Sequence, residues 1–249
     1  MYEVEHKKNN DDAVLAVMED IINTFDEYVV CFSFATKGIA KQGEELAKHS
    51  YEKGHRIWIG SDVATNPKMY ARIDTVECIE KCKKDGYFSN ELAKSLLSIM
   101  YSLWDEVYRH RLAKVTGLDA QYIECPLMGD LRKIRHCIIH NKSIVPDNGI
   151  RFEALEWLLP PREELVVTYK MFLELNDGIR GDKMRIQGWR IPPLLQEVMP
   201  QMSEKERKDF HAFFKKPENR KNNVEWPGLG KFLGRIKYYQ SKNDSSPKA

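Results

Sequence analysis

Residues 126–143, PLMGDLRKIRHCIIHNKS, decide how this chain can fold. Four aliphatic residues recur in this stretch at helical spacing: Leu127, Leu131, Ile134 and Ile138. Because an α-helix turns once in about 3.6 residues, these side chains lie along one narrow side that must be buried. Proline is favoured in the first turn of a helix. The stretch therefore predicts a helix from Pro126 to about His140.

The opposite side of this predicted helix is cationic. Counted from Leu127 at about 100° per residue, four basic or titratable residues lie between about 140° and 240°; they are Arg132, Lys133, His136 and His140. Arg135 lies at the edge of the aliphatic side, and residues 131–142 contain no acidic residue. Solvated helix faces usually alternate in sign, since like charges four residues apart repel.

Two interpretations of this cationic face remain open. In the first, the acidic N-terminal region covers it, because residues 1–30 hold eight acidic residues and two lysines. In the second, the face binds an anion, most naturally phosphate. Arginine offers a forked donor to phosphate oxygens, and histidine exchanges a proton near neutral pH. His140 would lie in the last turn, where the helix dipole favours its protonated form.

The segment RHCIIH, residues 135–140, resembles the R-x(4–6)-H motif of HEPN-domain ribonucleases. The adjoining Asn141 and the preceding GDLR, residues 129–132, are also similar to bacterial HEPN proteins. The upstream segment SLWDEVYR, residues 102–109, resembles a conserved stretch of some members. The resemblance implies a mainly α fold: a HEPN-like helical bundle with an additional N-terminal helical segment and a C-terminal extension.

The resemblance also implies an activity: metal-independent RNA cleavage by attack of the ribose 2′-OH, at a site formed across a homodimer. In this interpretation Arg135 stabilises the scissile phosphate, and His140 transfers the proton. The implied supporting residues are His136, Asn141, Arg132, Glu106 and Arg109. No cofactor is expected, and the implied roles are those of a toxin or phage-defence effector, with an unidentified antitoxin or regulatory partner. The alternative is a catalytically inactive HEPN-like dimer that binds RNA, a nucleotide or a protein.

Several rival interpretations concern the same residues. His136 and His140 have the spacing of a zinc-binding pair, but no third ligand is evident and the neighbouring cations oppose a dication. Arg109 can form a surface ion pair with Asp105 or Glu106, or can brace the cationic helix. On a single helix, Arg135 and His140 are separated by about 140°, which favours a second copy of the chain at the site.

RNA-binding residues are predicted in two places. Lys133 and Lys142 flank the motif, and the C-terminal region contributes a second group: Lys215, Lys216, Arg220 and Lys221. Across residues 210–240, which contain these cations, Phe, Trp and Tyr are interleaved with Lys and Arg, an arrangement found in proteins that bind single strands. Aromatic helices that pack into a core with lysines outward would give the same pattern, so the sequence does not decide between the two.

The composition of the chain excludes some classes of protein. The chain has 249 residues, 42% of them hydrophobic, and 39 basic against 37 acidic residues, a net charge of +2. Neither a polycation nor an acidic disordered chain fits these values. We expect a helical domain over 1–180, with its motif-bearing helices at about 90–142, and a basic extension over 181–249 with a disordered tail from about 241.

The remaining patterns are mostly helical. Apolar residues at helical spacing begin at Val14, and we predict helices over 41–54, 68–84 and 162–176 and from Ser89 to about Val115, ending at Gly117. RFEALEWLL, residues 151–159, fits a strand or the end of a helix. The five cysteines contain no C-x-x-C pair, and no apolar run is long enough to span a bilayer. We therefore expect a cytoplasmic protein without a membrane partner.

Overall fold

A computed structural model describes residues 2–61, 68–188, 199–221 and 225–235 of the chain. The described part is mainly helical, which confirms the predicted fold class at that level. The chain divides into two compact units. The first contains residues 1–116 and 124–186, and the second contains residues 117–123 and 187–249. The sequence placed this boundary at 180/181 and did not foresee that 117–123 joins the second unit.

The first unit is built on helices that surround an apolar core. Their bounds are α1 Tyr2–Ala47, α2 Thr75–Cys82, α3 Tyr87–Leu103, α4 Arg109–Thr116, α5 Pro126–His140 and α6 Tyr169–Arg180. The long helix α1 contacts α2, α3, α4 and α6, while α3 also packs against α5. Along α1, the apolar side chains of Val17, Ile21, Phe25 and Phe32 are buried, as their helical spacing predicts.

A β-hairpin lies between two predicted helices and replaces the start of the second. Strand β1, Arg56–Gly60, pairs antiparallel with β2, Met69–Asp74. The predicted helix over 41–54 ends at Ala47, and the predicted helix over 68–84 begins only at Thr75. The Asp74 carboxylate accepts hydrogen bonds from the backbone N–H of Val76 and Glu77, and this cap fixes the start of α2. The sequence analysis missed both strands.

The predicted helix from Ser89 to Val115 exists but is interrupted. Between α3 and α4, residues Trp104–Tyr108 form a π-helical turn, in which the N–H of Arg109 bonds to the carbonyl of Trp104. Trp104 and Tyr108 are buried, as expected of core aromatics. The chain leaves α4 at Gly117, whose φ of +65° is readily adopted by glycine.

Helix α5 has the predicted bounds, Pro126–His140. After it the chain runs through extended segments held by backbone bonds, such as Leu165 N–H to the Ser143 carbonyl at 2.6 Å. Residues 151–159, for which the sequence allowed a strand or the end of a helix, form neither in the structure. The helix predicted over 162–176 begins later, at Tyr169, because the Thr168 side chain caps it by accepting from the Met171 N–H.

The second unit has its own aromatic core. It contains α7, Glu204–Phe214, α8, Pro217–Lys221, a helical segment over 229–235, and 3₁₀ turns at Ala120–Tyr122 and Met199–Gln201. Its buried residues form one cluster: Tyr122, Met202, Phe210, Phe214, Trp226 and Phe232. For these residues, core packing is the correct interpretation of the aromatic pattern. The predicted disordered tail from 241 lies outside the described residues.

Two further findings concern the chain as a whole. Within the described ranges, no helix combines the length and apolarity that crossing a bilayer requires. All five cysteine thiols are free.

Candidate functional site

A cavity of about 360 Å³ opens beside α5 in the first unit. We call it the cationic cavity, and its lining residues are Tyr101, Asp105, Arg109, Arg132, Arg135, His136 and His140. Four elements supply them: α3 provides Tyr101, the π turn provides Asp105, α4 provides Arg109, and α5 provides the rest. The structure thus brings the predicted residues Arg135 and His140 together with three of their predicted supports.

The burial of α5 explains why these side chains face outward. Leu127, Leu131 and Ile134 are almost completely buried against the rest of the unit. The helix period then directs the opposite positions away from the core. The rings of His136 and His140, one turn apart, lie with their centroids 4.7 Å from each other.

Arg135 turns from the edge of α5 toward α3. Its guanidinium carbon lies 5.7 Å from the ring centre of Tyr101, within cation–π distance. Its Nε is buried and has no hydrogen-bond partner, and the same is true of the Nε of Arg109. A buried donor without a partner costs free energy. Two side chains of one cavity therefore retain unused donor capacity.

The positive charge of the cavity is only partly neutralised. Arg109 pairs with Asp105 at 2.6 Å. Among the described residues, no carboxylate lies within ion-pair distance of the other four basic or titratable lining residues, which are Arg132, Arg135, His136 and His140. The cavity therefore offers positive charge to an anion.

The described side chains of the acidic N-terminal helix, residues 11–47, do not supply the missing counter-charge. Its Asp20 pairs with Arg111 on α4, and its Asp26 pairs with Arg180 on α6. Among the described side chains, no carboxylate of α1 pairs with α5. Of the two interpretations of the cationic face, the geometry favours anion binding.

Tyr101 contributes a hydroxyl to the same cavity. Burial raises the pKa of this hydroxyl, and the neighbouring Asp105 raises the pKa further, while Arg132, Arg109 and Arg135 oppose the shift. The phenol therefore stays protonated at neutral pH and can donate a hydrogen bond. Neither Tyr101 nor Asp105 was predicted as a site residue, because the contact of Tyr101 with Arg135 crosses between two helices and the π turn that presents Asp105 has no sequence signature.

Two of the predicted supporting residues lie elsewhere. Glu106 is exposed and does not line the cationic cavity; the carboxylate that pairs with Arg109 is Asp105. Asn141 caps the C-terminal end of α5 and lines a second cavity beside the exposed face of the helix. Lys142, with φ of +51°, is exposed just beyond the helix end.

Lys133 has two partners within the first unit. Its ammonium group donates to the buried Asp130 carboxylate and to the Arg151 carbonyl, each at 2.8 Å. Asp130 in turn accepts backbone N–H groups from Glu153, Ala154 and Leu155. Lys133 therefore holds the loop beyond α5, and an RNA phosphate would have to share it with these partners.

The C-terminal cations belong to the second unit. Lys215 and Lys216 are exposed after α7, whereas the guanidinium of Arg220 lies 5.8 Å from the ring centre of Tyr122. Lys221 ends α8, and its side chain is not described. RNA binding by these residues stays a prediction.

The zinc interpretation finds no further ligand. Within the described ranges, no group of three or more His, Cys, Asp or Glu side chains is arranged to hold a metal ion. His136 and His140 instead share their cavity with three arginines.

The chain was also compared with known proteins. The comparisons with protein families, with curated proteins and with solved structures found no match. The resemblance to HEPN ribonucleases therefore depends on residues 135–140 and their neighbours alone.

Proposed function

We propose that this protein is a metal-independent endoribonuclease of the HEPN type. The observation that carries the proposal is the cationic cavity, where Arg135 and His140 lie beside Arg132 and His136 without a neutralising carboxylate among the described residues. Phosphodiester cleavage needs positive charge around the phosphoryl oxygens and groups that move protons near neutral pH. The cavity contains both within one small volume.

The proposed reaction uses the substrate's own nucleophile. The ribose 2′ oxygen bonds to phosphorus while the bond from phosphorus to the 5′ oxygen breaks, giving a 2′,3′-cyclic phosphate and a 5′-OH end. One proton leaves the 2′-OH, and one proton reaches the departing 5′ oxygen. His140 performs one of these transfers, and His136, with its ring 4.7 Å away, is placed to assist. Arg135 stabilises the charge that develops on the phosphoryl oxygens.

We further propose that the enzyme acts as a homodimer. A single chain already brings Arg135 and His140 to one cavity, so their angular separation on α5 does not by itself require a second copy. Support comes from exposed aliphatic side chains on the elements around the cavity: Ile99 on α3, Val107 in the π turn and Ile139 on α5. Apolar groups of this kind are available for an isologous contact between two cavity-bearing faces.

The test is RNA cleavage in excess EDTA by wild type, Arg135→Ala and His140→Ala. We expect wild type to cut RNA, and each substitution to lower the rate by at least about 10²-fold, the loss typical when a catalytic proton carrier or charge-stabilising group is removed. Matched controls are Arg185→Ala and His110→Ala, which change exposed residues that do not line the cavity.

Each outcome bears on the proposal. Cleavage that survives both cavity substitutions would show that the activity comes from elsewhere or from a contaminant. A wild type that binds RNA in EDTA without cutting it would point to the catalytically inactive binding protein instead.

A further inference from the structure

A second and larger cavity lies next to the cationic cavity. It has a volume of about 680 Å³ and lies between α5 and the loop 146–151, so we call it the loop cavity. Arg132 and His136 line both cavities. A ligand whose anionic group lies in the cationic cavity can therefore extend directly into the loop cavity.

The lining of the loop cavity differs in chemistry from that of its neighbour. Pro146 and Ile150 provide apolar walls, and the Asn141 and Asn148 amides provide hydrogen-bonding groups. Within the described part of the chain, neither side-chain amide has a hydrogen-bond partner. A flat, mostly apolar ring with donors and acceptors along its edge fits such a lining, since asparagine side chains read base edges in this way.

The loop that forms the outer wall is fixed to α5. The buried Asp130 carboxylate accepts the N–H groups of residues 153–155, and Lys133 bridges Asp130 to the Arg151 carbonyl. The Cys137 thiol donates to the Ile144 carbonyl at 3.2 Å. The cavity is therefore formed before a ligand arrives, which lowers the entropic cost of binding.

From these observations we infer that the loop cavity binds the base of a nucleotide whose phosphate occupies the cationic cavity. The inference rests on the phosphate-binding part of the proposed function. The volume of the loop cavity lies in the range of small-molecule sites, about 300–1,000 Å³. Two sources offer this chemistry, a nucleotide within an RNA strand and a free mononucleotide.

Gly129 gives a direct way to fill the loop cavity. It lines the cavity from α5, and a Cβ added to it meets nothing within 4 Å. Glycine is also a poor residue for a helix interior, so a larger side chain does not weaken α5. Gly129→Leu therefore places a side chain in the cavity while leaving Arg135 and His140 in position.

The matched control is Gly38→Leu. Gly38 is an exposed glycine of α1, also with open space around an added Cβ, and it lines neither cavity. Asn148→Ala is a second, milder variant in an exposed loop, which keeps the test decisive if Gly129→Leu fails to fold.

Three ligands are titrated into the full-length protein at fixed salt: a 2′-O-methyl oligonucleotide, which lacks the nucleophile and is not cut, adenosine monophosphate, and inorganic phosphate. We expect Gly129→Leu to weaken binding of the oligonucleotide, the mononucleotide or both at least tenfold, and Asn148→Ala to weaken it severalfold. Inorganic phosphate should bind all variants equally. The ligand that responds identifies the source of the nucleotide.

The inference is overturned if Gly129→Leu and Asn148→Ala bind both nucleotide ligands as tightly as Gly38→Leu does, or if wild type binds neither. Its failure is separable from that of the nuclease proposal. A protein that loses nucleotide binding in Gly129→Leu but never cuts RNA retains the nucleotide cavity and loses the nuclease assignment. If instead the protein cuts RNA and its Gly129→Leu variant binds nucleotides as tightly as wild type, the nuclease assignment is retained and the nucleotide cavity is lost.

Discussion

The carboxylate of Asp130 connects α5 to the loop that follows it. It is fully buried, accepts three consecutive backbone N–H groups from residues 153–155 and pairs with Lys133. A buried carboxylate is stable only when its oxygens are satisfied in this way. Asp130, which entered the sequence analysis only as part of the GDLR segment, therefore has a structural role.

Replacing Asp130 tests this role. Asp130→Ala leaves three N–H groups and the Lys133 ammonium without their acceptor, so we expect the free energy of unfolding to fall by about 3 kcal/mol. Denaturant unfolding measures the change. The control is Asp147→Ala, which removes the exposed pair with Arg162 and should cost less than about 1 kcal/mol. Equal losses in the two variants would contradict the assignment.

Individual site residues differ in how far the sequence reveals them. The helical wheel predicted the helix and its cationic side, whereas Arg135 and His140 were singled out by the resemblance of residues 135–140 to the HEPN motif. The sequence left Asp105 and Glu106 open as partners of Arg109, since spacing alone allows either neighbouring carboxylate, and the structure pairs Arg109 with Asp105. Tyr101 was not predicted, because its contact with Arg135 crosses between two helices.

At the scale of elements, the π turn between α3 and α4 positions one wall of the cationic cavity. Such turns contain one residue more than the α-helix accommodates, and they occur frequently at functional sites. Here the turn presents Asp105, and it sets the position of Arg109 at the start of α4. A periodicity of 3.6 residues continues on both sides, so the sequence indicated a single helix.

Deleting Val107 tests the importance of this turn. The residue is partly exposed within the turn, and its removal allows α3 to continue into α4 as an α-helix. We expect unchanged helix content by circular dichroism, but RNA cleavage reduced about 10²-fold, because Asp105 and Arg109 move relative to α5. Val107→Ala keeps the length of the turn and serves as the control. Equal cleavage by the two variants would show that the turn does not position the site.

The elements that were predicted correctly have strong local sequence patterns, and those that were missed have weak ones. Helix α5 has a proline start and an uninterrupted aliphatic side, and its predicted bounds are confirmed. The β-hairpin was missed because its strands are short and mostly exposed, so they lack a clear buried face. The start of α6 was misplaced by seven residues, since the extended segment before it is held by contacts with α3 and residue 143.

In the molecule as a whole, the cations predicted to bind phosphate or RNA lie in both units. The first unit contains both cavities, and the second contains the predicted RNA-binding residues of the C-terminal region. The described aromatic residues of the second unit pack in or against its core. If RNA binds this unit, we therefore expect it to contact exposed lysines such as Lys215 and Lys216 rather than these aromatic residues.

The homodimer is testable by light scattering after gel filtration. We expect wild type to elute as a dimer at low micromolar concentration and Ile139→Glu as a monomer, because a charge replaces an exposed apolar group beside His140. Leu158→Glu changes an exposed leucine of the same unit that lines neither cavity, and this variant should remain dimeric. A monomeric wild type that still cuts RNA would contradict a site composed of two chains.

In the proposed reaction, the ribose 2′-OH of the substrate is the nucleophile at the cationic cavity. A DNA oligonucleotide that contains a single ribonucleotide, incubated in EDTA with wild type and with His140→Ala, tests this proposal. We expect one cut by wild type, immediately 3′ of the ribonucleotide, with a 2′,3′-cyclic phosphate end, and no product from His140→Ala. Cleavage of the all-DNA strand, an intact substrate with wild type, or undiminished cutting by His140→Ala would contradict it.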